Sequence, residues 1–301
     1  MERNTLSECN RRGRGRASGQ PGVVLALGGG FARGIAHLGV IQVLEQHRVP
    51  VAGIAGTSIG SILGAAYTSG VPLAKLTAVC GSVRFRDFAR WRFSRLGVAS
   101  NHRLGDLIER VLPAETFEDL LIPFIAVATD LGTSDAVVLR HGSLTEALRA
   151  SCAYPGLFEP VKIGTRCLVD GGLVSPVPTR EARSLEAGPV IGIVASLHDG
   201  RAGDPTNIFQ VVSRAVSATR KHQSLLWDDP ADLVLRPQVQ HLAWDDFFRT
   251  EEAVAAGAEA ATNALERIQQ LLQPKPQVLP ASALHYAETH SFSQNTEALP
   301  S

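Results

Sequence analysis

Two glycine-rich turns, each set between a short apolar run and a stretch with helical period, constrain this chain more than any other feature. The first, Gly28, Gly29, Gly30, Phe31, Ala32, Arg33, Gly34, follows the apolar run Val23 to Leu27 and leads into a helical pattern from Arg33 to His47. The second, Gly56, Thr57, Ser58, Ile59, Gly60, follows Val51 to Ala55 and opens Ser58 to Ser69, rich in small helix-compatible residues. Strand, turn and helix twice in succession begin an alternating α/β chain. In the first turn three glycines leave N–H groups free to converge on a negative oxygen at a helix N-terminus. In the second, G-x-S-x-G has the strand-to-helix context that an exposed serine nucleophile requires.

Neither motif is decisive alone. At this glycine and serine content a G-x-S-x-G arises by chance about 0.2 times in a chain of this length. Gly28, Gly30 and Gly34 also fit a relaxed dinucleotide-binding pattern, G-x-G-x-x-x-G. That pattern needs an acid at the end of the second strand to hold a ribose hydroxyl. Here the second strand runs into Gly56, Thr57 and Ser58, and Glu45 falls too early, inside the helical stretch. The dinucleotide reading is therefore disfavoured, and a purely structural tight turn equally so, against the anion cradle.

A third element, Asp170, Gly171, Gly172, follows the apolar run Cys167, Leu168, Val169. An Asp-Gly pair after a strand is ordinarily a turn. Taken in order, though, glycine loop, G-x-S-x-G and D-G-G resemble the patatin-like phospholipase family. The likeness continues through Gly34 to Gly39, Ala150 to Pro160 and Leu173 to Pro178, and covers roughly residues 22 to 200. It implies a three-layer α/β fold with a mostly parallel central sheet and helices on both faces. The activity it implies is cleavage of lipid acyl esters, of phospholipase A or lysophospholipase type, on a lipid ester substrate. It further implies Ser58 as nucleophile, Asp170 as its base in a Ser–Asp dyad, and the N–H groups of Gly28, Gly29 and Gly30, with Ile59, as oxyanion donors. Arg33, Gly34, Gly56, Gly60, Gly171 and Gly172 complete the motifs, and no metal or other cofactor is implied. The competing reading is a patatin-fold regulatory or scaffold protein with weak esterase turnover.

A serine hydroxyl is a poor nucleophile until a base takes its proton, and a carboxylate at hydrogen-bond distance can do so. Ser58, Asp170 and His198 also follow the Ser, Asp, His order of an α/β-hydrolase triad. Against a triad, the glycine loop directly follows the first strand and the nucleophile comes on the next one. Arg33 has two uses, fixing the loop through backbone carbonyls or meeting a substrate phosphate, and the structural one is favoured. Gly60 and Gly64, one turn apart, read as close helix packing.

The chain has 301 residues, 45% hydrophobic and 19% charged, enough for one large core in a single domain over residues 21–273. Its formal net charge is zero, which argues neither for nor against a nucleic-acid partner, and none is expected. No apolar stretch reaches the roughly 18 residues of a membrane span, and no hydrophobic signal core opens the sequence. The expectation is a cytoplasmic protein. Cys9, Cys80, Cys152 and Cys167 are scattered without metal spacing and read as reduced packing residues. Arg3, Arg11, Arg12, Arg14 and Arg16 among Gly and Ser mark residues 1–20 as a disordered basic arm, and residues 274–301 read as a flexible tail.

Between them, helices are expected at Leu104 to Leu112, Leu144 to Ala153, Asn207 to Trp227 and Thr250 to Leu272. Strands are expected at Pro123 to Thr129, Ala136 to Arg140, two within Val161 to Val169, Val190 to Ala195 and Leu233 to Leu235. Such alternation predicts that ligands bind at the carboxyl ends of the strands, where Gly28, Ser58 and Asp170 fall. One further segment stands apart. Val83 to Leu96 carries Arg84, Arg86, Arg90, Arg92 and Arg95 among Phe85, Phe88, Trp91, Phe93 and Leu96. As a helix it would place Phe85, Phe88, Ala89, Phe93 and Leu96 on one face, either as a peripheral contact at the inner face of the membrane or as a surface helix whose aromatics plug the core.

Overall fold

The computed structural model describes residues 22–91, 96–195, 204–206, 210–212, 214–219 and 230–273. The expected arm and tail, most of the helix at 207–227, and His198 lie outside the described residues. The first half runs β1 (Val23–Leu27), a 3-10 turn (Phe31–Ile35), α1 (Ala36–Gln46), β2 (Val51–Thr57), α2 (Ile59–Thr68) and α3 (Leu73–Ser82). Then come α4 (Phe85–Phe88), β3 (Arg90–Trp91), β4 (Ala99–Ser100), α5 (His102–Val111), β5 (Phe124–Asp130), β6 (Ala136–Leu139) and α6 (Leu144–Ser151). The remainder is β7 (Val161–Ile163), β8 (Arg166–Asp170), α7 (Thr179–Arg183), β9 (Val190–Ile193), β10 (Leu233–Leu235), α8 (Thr250–Asn263) and α9 (Leu265–Leu271).

The main sheet has the order β10-β9-β1-β2-β5-β8-β7, with β6 also paired to β5. From β10 to β5 every pairing is parallel, while β6, β8 and β7 join antiparallel. The mostly parallel α/β fold expected from the alternation is therefore present. β1 explains why its sequence is apolar at every position. Val23, Leu25 and Leu27 enter the larger core under α1, α2 and α5, while Val24 and Ala26 enter a smaller one with Val177 and Ala182 of the α7 side. A strand covered on both faces has no polar face to alternate with. On the larger side α8 lies directly on α1, since a Cβ at Gly39 would strike the carbonyl of Val254 and one at Gly257 the carbonyl of Ala36.

Two expectations change. The pattern from Thr250 to Leu272 is two helices, interrupted at Ala264, whose φ −103° and ψ 0° leave the helical range. The segment Val83 to Leu96 is not one helix: α4 stops at Phe88, and Arg90–Trp91 pairs antiparallel with Ala99–Ser100. Phe88 is buried and packs edge-on against Phe247 at 5.7 Å, whereas Leu96 is 70% exposed. A four-residue helix cannot present a continuous apolar face.

Candidate active site

Ser58 links β2 to α2 with φ 53° and ψ −125°. A side chain at positive φ costs on the order of 1–3 kcal/mol and persists only where the surroundings over-determine it. Here they do. The Ser58 N–H donates to the Ser151 hydroxyl at 2.9 Å, and that hydroxyl donates to the Val127 carbonyl at 2.7 Å. Ser61 donates its hydroxyl to the Ser58 carbonyl at 2.6 Å, and Thr57 donates its own to the Ser175 carbonyl at 2.8 Å. Gly60 lets α2 approach the sheet, because a Cβ there would run into the Leu27 carbonyl. At Gly56 the obstacle would be the backbone of Ser61, and at Gly34 the side chain of Ile59.

Asp170 reaches this turn through strand pairing. β2 and β6 both pair with Ala126 and Val127 of β5, so they occupy opposite edges of it. β8 pairs with Ala128 to Asp130, two of which β6 also occupies, so β8 shares the edge of β2. Thr57 faces Val127 and Asp170 faces the next residue, Ala128. The ends of β2 and β8 therefore meet head to head, about one strand residue, roughly 3.4 Å, apart along that edge. Asp170 is buried, and its Oδ1 accepts the Gly172 N–H at 2.8 Å. Thr129 donates its hydroxyl to the Asp170 carbonyl at 3.0 Å, and Gly171 sits so close to β5 that a Cβ would meet the Val127 carbonyl.

The glycine loop faces the same turn, since a Cβ at Gly29 would lie 3.5 Å from that of Ser58. Its N–H groups are not equivalent, however. Gly28 donates to the Ile193 carbonyl at 3.1 Å and Gly29 to the Pro176 carbonyl at 2.9 Å, so both are engaged within the backbone. Gly30 and Ile59 donate their N–H groups to no described residue. Beneath the loop, fully buried His37 donates its Nε2–H to the Gly28 carbonyl at 2.8 Å, leaving Nδ1 without a partner among the described residues. Burial holds its pKa down to about 4, against the opposing pull of the Gly28 bond. His37 is therefore neutral at pH 7. Arg33 is also buried and donates Nε to the Leu242 carbonyl at 2.8 Å, which ties the 3-10 turn before α1 to that residue.

Ser58 opens onto a cavity of about 120 Å³ whose other lining residues are almost all apolar. They come from α2, α3 and α5, with Phe31, Phe158 and Phe247 among them. Cys152 lines it too, with Ser58 and Ser61 beside its thiol. Burial, with the nearby Asp170 charge, pushes that thiol's pKa up; burial alone pushes Cys80, on the cavity wall, up to about 12. Neither thiol ionises near neutrality. Among the described residues no three His, Cys, Asp or Glu side chains gather as a metal site requires. From sequence, Ser151 had no assigned role and Cys152 read only as a packing residue. Their only signal was membership of the block Ala150 to Pro160, which leads by way of β7 into the strand carrying Asp170.

A family model described as patatin-like phospholipase matches residues 25–183. An uncharacterized NTE family protein of Mycobacterium tuberculosis is 32% identical over 68% of this chain and 58% of its own length. The lysophospholipase NTE1 of Debaryomyces hansenii is 26% identical over 82% of this chain and 18% of its own. The human patatin-like phospholipase domain-containing protein 6 is 35% identical over 59% of this chain and 14% of its own. The chain thus spans somewhat over half of the mycobacterial relative and under a fifth of the other two.

Proposed function

The chain belongs to the patatin-like phospholipase family, and from that premise we propose that it hydrolyses lipid acyl esters, of phospholipase A or lysophospholipase type, with Ser58 as nucleophile and Asp170 as base. The observation that carries the reading is a strained serine, on a turn that meets the strand end bearing a buried carboxylate, in the wall of an apolar cavity. The lysophospholipase relative supports the same substrate class.

In the reaction, Ser58 Oγ attacks the ester carbonyl as its proton passes to the Asp170 carboxylate. The C=O π electrons move onto oxygen, and the Gly30 and Ile59 N–H groups donate to that oxyanion. One such donor is typically worth about 3–4 kcal/mol in the transition state. On collapse the bond to the alcohol breaks, and the alcohol leaves with the proton from Asp170. Water then attacks the acyl-serine, giving a proton to Asp170. As the second oxyanion collapses, that proton returns to Ser58 Oγ and the fatty acid departs. Gly172 fixes the carboxylate throughout. The hydrocarbon tail lies in the cavity, where burial of each methylene contributes about 0.8 kcal/mol.

The test is labelling with a fluorophosphonate, which reacts only with an activated serine. Wild type should label at Ser58 and cleave p-nitrophenyl esters, and Ser58→Ala should do neither while unfolding at the wild-type temperature. A folded wild type that neither labels nor turns over would favour the scaffold reading instead.

A further inference from the structure

The cavity is bounded by three helices over the same length. Its lining on α2 runs from Ser58 to Ala66, eight positions apart. On α5 and the residue that ends it, Leu104 and Leu112 are also eight apart, and along α3 Leu76 and Val83 are seven apart. At 1.5 Å per residue each wall measures about 10–12 Å. The three walls also share a polarity. α3 begins a few residues after α2 ends, beside its Ala66 end, and Leu76, Val79 and Val83 line the same cavity as Ile59, Ile62 and Ala66, so Leu76 lies by Ala66 and Val83 lies toward Ser58. The start of α5 is tied to the Cys152 side of the site: Asn101 donates to the Arg149 carbonyl at 2.9 Å and Ala99 donates to the Leu157 carbonyl at 2.8 Å. The chain after α5 returns to the far end of α2, where Leu121 donates to the Thr68 carbonyl at 2.9 Å. Ser58, Val83 and Leu104 therefore stand at the nucleophile's end of the cavity, and Ala66, Leu76 and Leu112 form the opposite end, its floor.

We propose that these walls measure the acyl chain, so that the enzyme selects medium-chain acyl groups and Ala66 and Leu112 set the limit. This rests on the hydrolase reading above. With C–C bonds of about 1.5 Å, an extended alkyl chain advances roughly 1.3 Å per carbon, so the slot takes about eight to nine carbons beyond the ester. The cavity, about 120 Å³ in volume, is drawn out along these three walls. Longer chains must fold back or leave their ends in water. Ala66 is the smallest of the floor residues, so filling it shortens the slot, and trimming Leu112 extends it.

The experiment compares kcat/KM for p-nitrophenyl butyrate, octanoate, decanoate, dodecanoate and palmitate, dispersed in a fixed excess of neutral detergent. Wild type should peak at octanoate or decanoate and fall at least about tenfold by palmitate. Ala66→Phe should move the peak to butyrate, with Ala66→Val shifting it less, and Leu112→Ala should move it to dodecanoate. Each result is a ratio within one preparation, so partial loss of folded protein cancels. A wild type that labels at Ser58 yet shows a flat profile through palmitate, or variants that all keep the wild-type peak, would overturn the measuring role while leaving the hydrolase reading standing. Absence of both labelling and turnover would remove the two together.

Discussion

The backbone N–H of Ser58 ends on the Ser151 hydroxyl, 2.9 Å away, and that hydroxyl is itself held by the Val127 carbonyl at 2.7 Å. Ser151 is fully buried, so the relay from β5 to the nucleophile runs without water. Ser151→Ala removes the acceptor and leaves the Ser58 amide unsatisfied, a loss of about 1–3 kcal/mol. The expected kinetic result is a fall in kcat of about ten- to a hundredfold with little change in KM, because a small displacement of the attacking atom costs that much. Ser151→Thr, which keeps the hydroxyl, should recover part of kcat. Equal loss in both variants would mark Ser151 as a packing residue only.

Asp170→Asn tests the dyad. The amide cannot take the serine proton, so turnover should drop on the order of a thousandfold or more, with KM and thermal stability nearly unchanged. His198→Ala should retain most activity. A dead but folded His198 variant beside an active Asp170→Asn would replace the dyad with a different base.

Much of this site was legible before the fold was known, because its parts are local. The turns after β1 and β2 are specified by glycines within a few residues of each strand, and each structured turn lies where the sequence puts it. What stayed hidden depends on distant partners. That β8 meets β2 head to head follows from both pairing with one edge of β5, which no short window contains. Likewise, three successive glycines predict three donors, yet Ile193 and Pro176 take the first two amides from far along the chain. Ser151 was visible only as one small residue in a motif block, since its bonds lead to residues 58 and 127. The four-residue α4 has the same cause: local periodicity favours a helix through Leu96, and β4 captures Arg90–Trp91 instead.

His37 should make stability depend on pH in one direction. Its folded pKa of about 4 lies below the model-peptide value of 6.5, so between those values the unfolded chain binds more protons than the folded one. The stability contributed by neutral His37 is complete above about pH 6.5 and is lost as pH falls toward and through about 4, some 3 kcal/mol in total, at about 1.4 kcal/mol per pH unit. Urea unfolding from pH 7 to pH 4 should show this decline. His37→Gln keeps a donor for the Gly28 carbonyl but does not titrate, so its slope over that range should be shallower. An unchanged slope would assign the acid sensitivity to other groups.

The last prediction concerns how a lipid reaches the cavity. Phe247 lines the cavity and packs on Phe88 of α4, while the next residue, Phe248, is 70% exposed. On α4 and just before it, Arg86 and Arg84 are exposed, and Leu96, beyond the same segment, is 70% exposed. Exposed apolar and guanidinium groups close in sequence to the cavity-lining Phe88 and Phe247 suit a peripheral contact with an anionic bilayer. The guanidinium contribution is screened as the Debye length shrinks, and the apolar one is not. Co-sedimentation with vesicles containing phosphatidylserine should therefore weaken with salt for the wild type. Replacing Arg84 and Arg86 together with Ser should remove most of the salt-dependent part. Phe248→Ala should lower binding by a similar factor at low and high salt, because it removes the apolar part alone. Equal pelleting by all three proteins, or pelleting by none, would make Val83 to Leu96 an ordinary part of the fold and leave lipid entry to another face.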